Sequence, residues 1–265
     1  MRRLDWFLLI SCLCAQPLAG CGSDDSPASD AAPRDAAPDA AGAAAADASG
    51  DAGACAGLAL FTGSYVDWDG NSEAPTNTLD TLVSEDGNAQ RSVRITAPNG
   101  RVVLCVPAGA PSVVTFTHPD YLPLRYTFDP AAAGTAFDIR GLTPARADEL
   151  FTLLGVTRDP AVAQVIVAVR REAASPEAVG AAVTGARVSL GNVSGASFTA
   201  ASDGTYGAGD TLAGDAFVLF TNTELGSGTT EVTVTPPAGV TCVGPDSIAV
   251  AAGEIAVTTF ACTGS

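Results

Sequence analysis

The sequence contains no lysine, so all thirteen of its cationic side chains are arginine. Twenty-nine Asp and Glu residues bring the formal net charge to −16. A chain of this charge lacks the basic surface that nucleic acid and anionic lipid headgroups require. The absence of lysine also excludes Schiff-base chemistry and lysine-activated nucleophiles.

Histidine is nearly absent as well, because His118, in "FTHPDYLP", is the single one in the chain. A serine or cysteine triad would have to use it, and no G-x-S-x-G or H-E-x-x-H motif and no P-loop is present. Its position before a proline favours a turn between two strands. We therefore predict that the protein is not an enzyme, with no catalytic residue and no cofactor. Composition alone does not exclude a glycosidase that uses two carboxylates, because acidic residues are plentiful.

The first twenty residues form a pattern typical of an export signal. Arg2 and Arg3 precede an apolar run that is too short to span a bilayer, and "LAGC" follows at residues 18–21. Small residues before a cysteine resemble the bacterial lipobox, which implies a lipoprotein signal peptide at 1–20 and lipidation of Cys21. Gly22 and Ser23, which follow the cysteine, then favour the outer membrane as the location of the lipoprotein. The alternative is an ordinary secretory signal cut near Ala19.

Residues 21–54 are predicted to be a disordered tether. After Cys21 they read "GSDDSPASDAAPRDAAPDAAGAAAADASGDAGA", without an aromatic or branched aliphatic side chain. Such a segment buries too little apolar surface to offset the entropy of ordering. Its aspartates repel one another, so we expect it to be extended.

Seven cysteines are present, and three of them belong to the predicted signal and lipidation site. An even number remains, which in an exported protein predicts two disulfides. The four remaining residues are Cys55, Cys105, Cys242 and Cys262. They allow three pairings, of which we favour Cys55–Cys105 and Cys242–Cys262 because each bridge then stays within one half of the chain. A four-thiolate zinc site is the alternative, but no two of them form a CxxC knuckle.

Short apolar or alternating runs, separated by Gly, Pro, Asn and Asp, predict β-strands on both sides of one helix. Runs such as "GRVVLCVP", "SVVTFTH" and "LPLRYTF" place one β-sandwich module at 55–142, and "AQVIVAVRRE", "AFVLFTNT" and "TTEVTVTPP" place a second at 158–265. Asn99-Gly100 between two such runs predicts a hairpin.

The segment "TPARADELFTLLG" predicts the connecting helix at 143–157. Thr143 is its expected N-cap, Pro144 its first helical residue and Gly155 its end. The apolar side chains predicted to share one side are Leu150, Phe151, Leu153 and Leu154.

The stretch "NGRVVLCVPAGAPSVVTFTHPDYLPLRY" resembles the carboxypeptidase-regulatory-like, or transthyretin-like, β-sandwich modules. The matching positions are Gly100, Val102–Leu104, Pro107, Gly109 and Tyr121. "GAAVTGARVSL" and "SDGTY" suggest a second module of the same type. The resemblance implies a mainly β fold of two antiparallel sandwiches, and it implies no chemistry.

Two candidate sites lie in and beside "DWDGNSE". Oxygen-bearing side chains recur there at every second residue, a spacing that could direct them at one Ca²⁺ ion; they are Asp67, Asp69, Asn71 and Glu73. A solvated acidic loop is the alternative. Trp68, with Tyr65 and Tyr121, could form an aromatic patch for a glycan, and core packing of these rings is the alternative.

These features together predict a non-catalytic lipoprotein of a bacterial cell envelope, anchored to the membrane by lipid. Its modules would act as a structural element or engage an envelope protein or a glycan. A carbohydrate-binding or adhesive module that uses Trp68 is the alternative, and a hydrolase accessory protein is a more remote one.

Overall fold

The computed structural model describes residues 55–68, 78–86, 88–132, 137–173, 179–191, 193, 195–201, 203–225 and 227–264. The predicted signal peptide, the lipidation site Cys21 and the tether lie outside these ranges. So do Asp69, Asn71 and Glu73 of the candidate calcium loop.

Within the described residues the chain is mainly β, as predicted, with sixteen strands, one α-helix and a short 3₁₀ helix at Pro130–Ala132. The strands are β1 (Leu58–Asp67), β2 (Leu82–Glu85), β3 (Asn88–Arg94), β4 (Arg101–Pro107), β5 (Ser112–Thr117), β6 (Leu124–Phe128), β7 (Phe137–Gly141), β8 (Gln164–Arg171), β9 (Arg187–Leu190), β10 (Ala196–Ala200), β11 (Tyr206–Ala208), β12 (Phe217–Thr221), β13 (Ser227–Thr235), β14 (Val240–Val243), β15 (Ser247–Ala251) and β16 (Ile255–Gly264). The helix α1 spans Pro144–Leu153.

One sheet contains ten strands and draws on both halves of the chain. Its order is β11-β10-β12-β8-β16-β6-β5-β2-β3, with β14 also paired to β16. The last strand, β16, lies parallel to both β6 and β8 and so joins the two halves. Two three-stranded sets, β4-β1-β7 and β15-β13-β9, complete the fold.

Two hydrophobic cores flank the large sheet, and successive residues of β16 belong to different ones. Ile255 and Val257 lie in the first core, whereas Ala256 and Phe260 lie in the second. This follows from the two-residue period of a strand, which directs neighbouring side chains to opposite faces. The predicted two-module arrangement is thus confirmed in part, since there are two cores but they share one sheet.

Strand β4 shows the alternation that made it recognisable in the sequence. Val102, Leu104 and Val106 are buried, while the residues between them are half-buried. They face the first core, where Phe61 of β1 is fully buried. Burying one such side chain contributes about 1.5–3 kcal/mol.

The helix begins as predicted, because the Thr143 hydroxyl accepts a hydrogen bond from the Arg146 N–H (3.2 Å) and Pro144 follows it. It ends beside Gly155, whose φ is +71°. The apolar stripe is Ala147, Leu150, Phe151 and Leu154, at the spacing that lines one face of a helix. Leu153 was wrongly included in the prediction; it falls outside this stripe and is 73% exposed.

Both disulfides are present, in the pairing that we favoured. Cys55 joins Cys105 of β4 with a Cα–Cα distance of 5.4 Å. Cys242 and Cys262 lie directly opposite each other in the β14–β16 pair. With all four sulfurs in disulfides, the alternative of a four-thiolate zinc site is wrong.

The turn at Asn99-Gly100 forms, but the predicted hairpin is wrong. The Gly100 N–H donates to the Ala97 carbonyl (2.9 Å), which closes a turn. However, β3 pairs with β2 and β4 pairs with β1, so the turn leads from one sheet to another. The local signal predicts a reversal of the chain, and the choice of strand partner depends on which faces are buried.

Candidate functional site

Asp67, the first member of the candidate calcium loop, ends β1 and accepts a hydrogen bond from the Tyr121 hydroxyl (2.6 Å). Burial raises the pKa of Tyr121, and the bond to Asp67 raises it further. Among the described residues, no group of three or more His, Cys, Asp and Glu is placed to hold a metal ion.

His118 lies in the turn that connects β5 to β6, as predicted. Its Nδ1 accepts a hydrogen bond from the Asp120 N–H (3.2 Å), and its ring lies edge-on to Tyr121 with 5.1 Å between centroids. Both contacts are local. They give His118 the role of shaping the loop.

The three aromatic residues of the predicted patch do not lie on one surface. Tyr65 is 1% exposed and Tyr121 is 5% exposed, and their rings pack edge-on with 6.2 Å between centroids. Trp68 is half-buried, and its ring lies edge-on to the Phe217 ring with 6.2 Å between centroids. Of the three, Trp68 alone lines the cavity described next.

A cavity of about 390 Å³ lies beside Trp68, between β7 and the large sheet. This volume is within the range of about 300–1,000 Å³ that is typical of small-molecule sites. Its walls combine aromatic, aliphatic and charged side chains from both halves of the chain. They are Trp68, Tyr126, Asp138, Ile139, Arg140, Ile166, Ala168, Arg170, Tyr206, Asp215, Phe217, Val257 and Thr259.

Side chains of β8 alternate between its two faces, which explains why this strand contributes residues both to the second core and to the cavity. Its odd-numbered valines, at 165, 167 and 169, are fully buried in the second core. The intervening Ile166, Ala168 and Arg170 point to the other face and line the cavity. The cavity exists because β16 pairs with both β8 and β6, which brings the two halves together.

Two arginines and two aspartates form the charged part of the cavity. Arg140 lies 3.6 Å from the Asp138 carboxylate (Nη2 to Oδ2), and its Nη1 donates to the Trp68 carbonyl (3.2 Å). Asp215 accepts a hydrogen bond from the Ala216 N–H (2.7 Å) through Oδ1. The formal charges of these four side chains cancel.

Arg170 is the second cation of the cavity. Its Nη1 donates to the Gly180 carbonyl (3.1 Å), and no ion pair with a described residue accompanies this bond. Burial lowers the pKa of Arg170, while the charges of Asp138 and Asp215 oppose that effect. A guanidinium remains a cation at neutral pH, so the cavity holds a half-buried charge with unused N–H donors.

The aromatic part consists of Trp68, Tyr126, Tyr206 and Phe217. The backbone N–H of Trp68 donates to the Gly141 carbonyl (3.0 Å), which holds this residue at the end of β7. Burial raises the pKa of Tyr126 to about 12. The pKa of Tyr206 is also raised, first by burial and then by the charge of Asp215. Both phenols are therefore neutral hydrogen-bonding groups at physiological pH.

The sequence indicated Trp68 and missed the charged residues of the cavity. One signal was available, since Arg170 follows the run "QVIVAV", in which a buried strand ends on a charge. Asp138, Arg140 and Asp215 carry no local signal, because loops and strand ends are commonly acidic or basic.

No protein-family model and no curated protein gives a significant match to this sequence. The described residues include no helix that is both long and apolar enough for a membrane span.

Proposed function

We propose that this chain is a non-catalytic lipoprotein of a bacterial cell envelope, anchored at the outer membrane by lipid on Cys21. The observation that carries the proposal is the pair of disulfides, Cys55–Cys105 and Cys242–Cys262. Structural disulfides persist in oxidising compartments outside the cytosol. They agree with the export pattern of residues 1–20.

The two halves are proposed to be transthyretin-like modules that act as a structural or interaction element. The acidic segment at 21–54 would hold them away from the membrane. Each buried methylene of an acyl chain contributes about 0.8 kcal/mol to membrane binding, and a single chain binds only marginally and reversibly. A firm anchor therefore needs more than one acyl chain.

Metabolic labelling with radioactive palmitate tests the anchor. We expect the protein to incorporate label, and Cys21→Ala to abolish it. Cys14→Ala is the matched control and should still be labelled, since Cys14 lies in the predicted signal peptide. Label that persists in Cys21→Ala would refute the proposed anchor.

A second candidate function is carbohydrate binding, favoured by the position of Trp68 on the wall of a cavity that also contains charged side chains. An aromatic ring on a cavity wall and nearby hydrogen-bonding groups suit a sugar, which has both C–H faces and hydroxyls. A glycan array probed with the full chain and with Trp68→Ala tests this function. Binding that is unchanged in the variant would argue against a role for Trp68.

A further inference from the structure

The cavity beside Trp68 offers two kinds of surface to one small ligand. Its aromatic part includes the half-buried rings of Trp68, Tyr206 and Phe217. The edge-on contact of Trp68 with Phe217 holds the indole in a defined orientation. Such rings are large, rigid contact surfaces that lose little conformational entropy on binding.

The charged part offers donors and acceptors side by side. Arg170 uses one N–H for the Gly180 carbonyl, and a guanidinium carries five. The Asp215 carboxylate accepts the Ala216 N–H through Oδ1, and its two oxygens have further lone pairs. A hydroxyl both donates and accepts, so a ligand with several hydroxyls could bond to both residues.

The balance of charge decides against an ionic ligand. The two arginines and two aspartates that line the cavity sum to zero. A carboxylate or phosphate attracted by Arg170 would meet repulsion from Asp138 and Asp215, whose charges act on the same guanidinium. A cationic ligand attracted by the two aspartates would be repelled by the two arginines. A neutral, hydroxyl-rich ligand avoids both costs.

We propose that this cavity binds a neutral pyranose unit, with a C–H face against Trp68 and hydroxyls on Arg170 and Asp215. This inference rests on the proposed carbohydrate-binding function and assigns its site and ligand class. It adds Arg170 and Asp215 as recognition residues, neither of which was predicted from the sequence.

The first experiment probes an array of neutral and uronic-acid glycans with the full chain in detergent. Titration of the best neutral glycan then follows Trp68 fluorescence, which reports alone in the processed protein because Trp6 lies in the predicted signal peptide. We expect neutral glycans to bind, and Asp215→Asn and Arg170→Gln to bind about 10-fold to 100-fold more weakly, since hydrogen bonds to charged groups are lost.

Matched controls come from Arg187 and Asp210, an arginine–aspartate pair at 2.8 Å that does not line the cavity. Arg187→Gln and Asp210→Asn should bind within about twofold of the parent chain. On the glycan array, which does not depend on tryptophan fluorescence, Trp68→Phe should retain more binding than Trp68→Ala. This comparison keeps the test valid if one charge variant fails to fold.

Three outcomes would overturn the inference in distinguishable ways. If no glycan binds the parent chain, the carbohydrate-binding function fails together with its site. If binding survives Asp215→Asn and Arg170→Gln, the function stands and this cavity is not the site. If only uronic-acid glycans bind, the ligand class is wrong.

Discussion

Gly100 and Gly109 allow a sharp test of how the first half of the chain is held together. Both have a positive φ, +67° and +88° respectively, a region that L side chains rarely adopt. Their surroundings differ. A Cβ at Gly100 would lie 2.0 Å from the Tyr65 carbonyl oxygen, whereas a Cβ at Gly109 would meet nothing within 4 Å.

The expected cost of each alanine follows from this difference. The left-handed conformation alone costs alanine about 1–2 kcal/mol, and Gly109→Ala should show that cost. At Gly100 the backbone must also move away from Tyr65, which weakens two hydrogen bonds. These are the Tyr65 N–H to the Gly100 carbonyl (2.9 Å) and the Thr78 hydroxyl to the Tyr65 carbonyl (2.8 Å). Each loss costs about 1–1.5 kcal/mol, so Gly100→Ala should cost about 4 kcal/mol.

Equilibrium unfolding in urea, followed by far-ultraviolet circular dichroism, measures both values. Because the two variants share the same conformational penalty, their difference of about 2–3 kcal/mol isolates the collision with Tyr65. Equal m-values are needed for the comparison to report stability. Two variants that agree within about 1 kcal/mol would refute the argument.

Two further predictions concern the disulfides and the tyrosines. Replacing Cys55 and Cys105 with alanine should cost about 4 kcal/mol, and replacing Cys242 and Cys262 about 3 kcal/mol, because the bridges close separations of 50 and 20 residues. Urea unfolding of each double variant checks this, and a loss below about 1 kcal/mol for either pair would contradict it. Burial raises the pKa of Tyr126 from 10.0 to about 12, so the folded state keeps its proton when the unfolded state loses it. The resulting stability is present below pH 10 and is lost as the pH rises towards 12, and tyrosinate absorbance at high pH should appear later in the folded chain than in urea. A folded chain whose tyrosines all titrate near pH 10 would contradict this.

Local features of the fold were predictable because their causes lie within a few residues. Thr143 and Pro144 begin the helix through a capping hydrogen bond and a preset φ, which neighbouring residues suffice to specify. The alternating burial of β4 likewise follows from its own pattern of side chains. Leu153 was misplaced because an apolar residue near the end of a short helix has no signal that separates core from surface.

Strand pairing was less predictable, as the turn at Asn99-Gly100 shows. The turn residues specify a tight reversal, but not whether the next strand returns to the same sheet. Here β4 leaves β3 and pairs with β1, because its alternate valines and leucine are buried against Phe61 and its neighbours. The pairing partner of β4 was therefore decided by burying one of its faces against residues that are distant in the sequence.

The residues of the candidate site were also only partly predictable from the sequence. Trp68 was indicated because a tryptophan beside an acidic loop is conspicuous in a chain that is only 6% aromatic. Asp215 was not, since it is an ordinary residue in its own segment, and Arg170 was not predicted although it follows an apolar run. They face one cavity with Trp68 only after the two halves of the chain meet.

The sequence by itself determined the strand-rich character, the capped helix and the presence of two disulfides, because side-chain period, capping chemistry and cysteine number act locally. The tertiary structure alone decided that β16 lies parallel between β6 and β8. That strand is buried on both faces, so its sequence has no polar side to reveal its neighbours. The same insertion creates the cavity, and therefore the proposed site, from residues that are far apart in the chain.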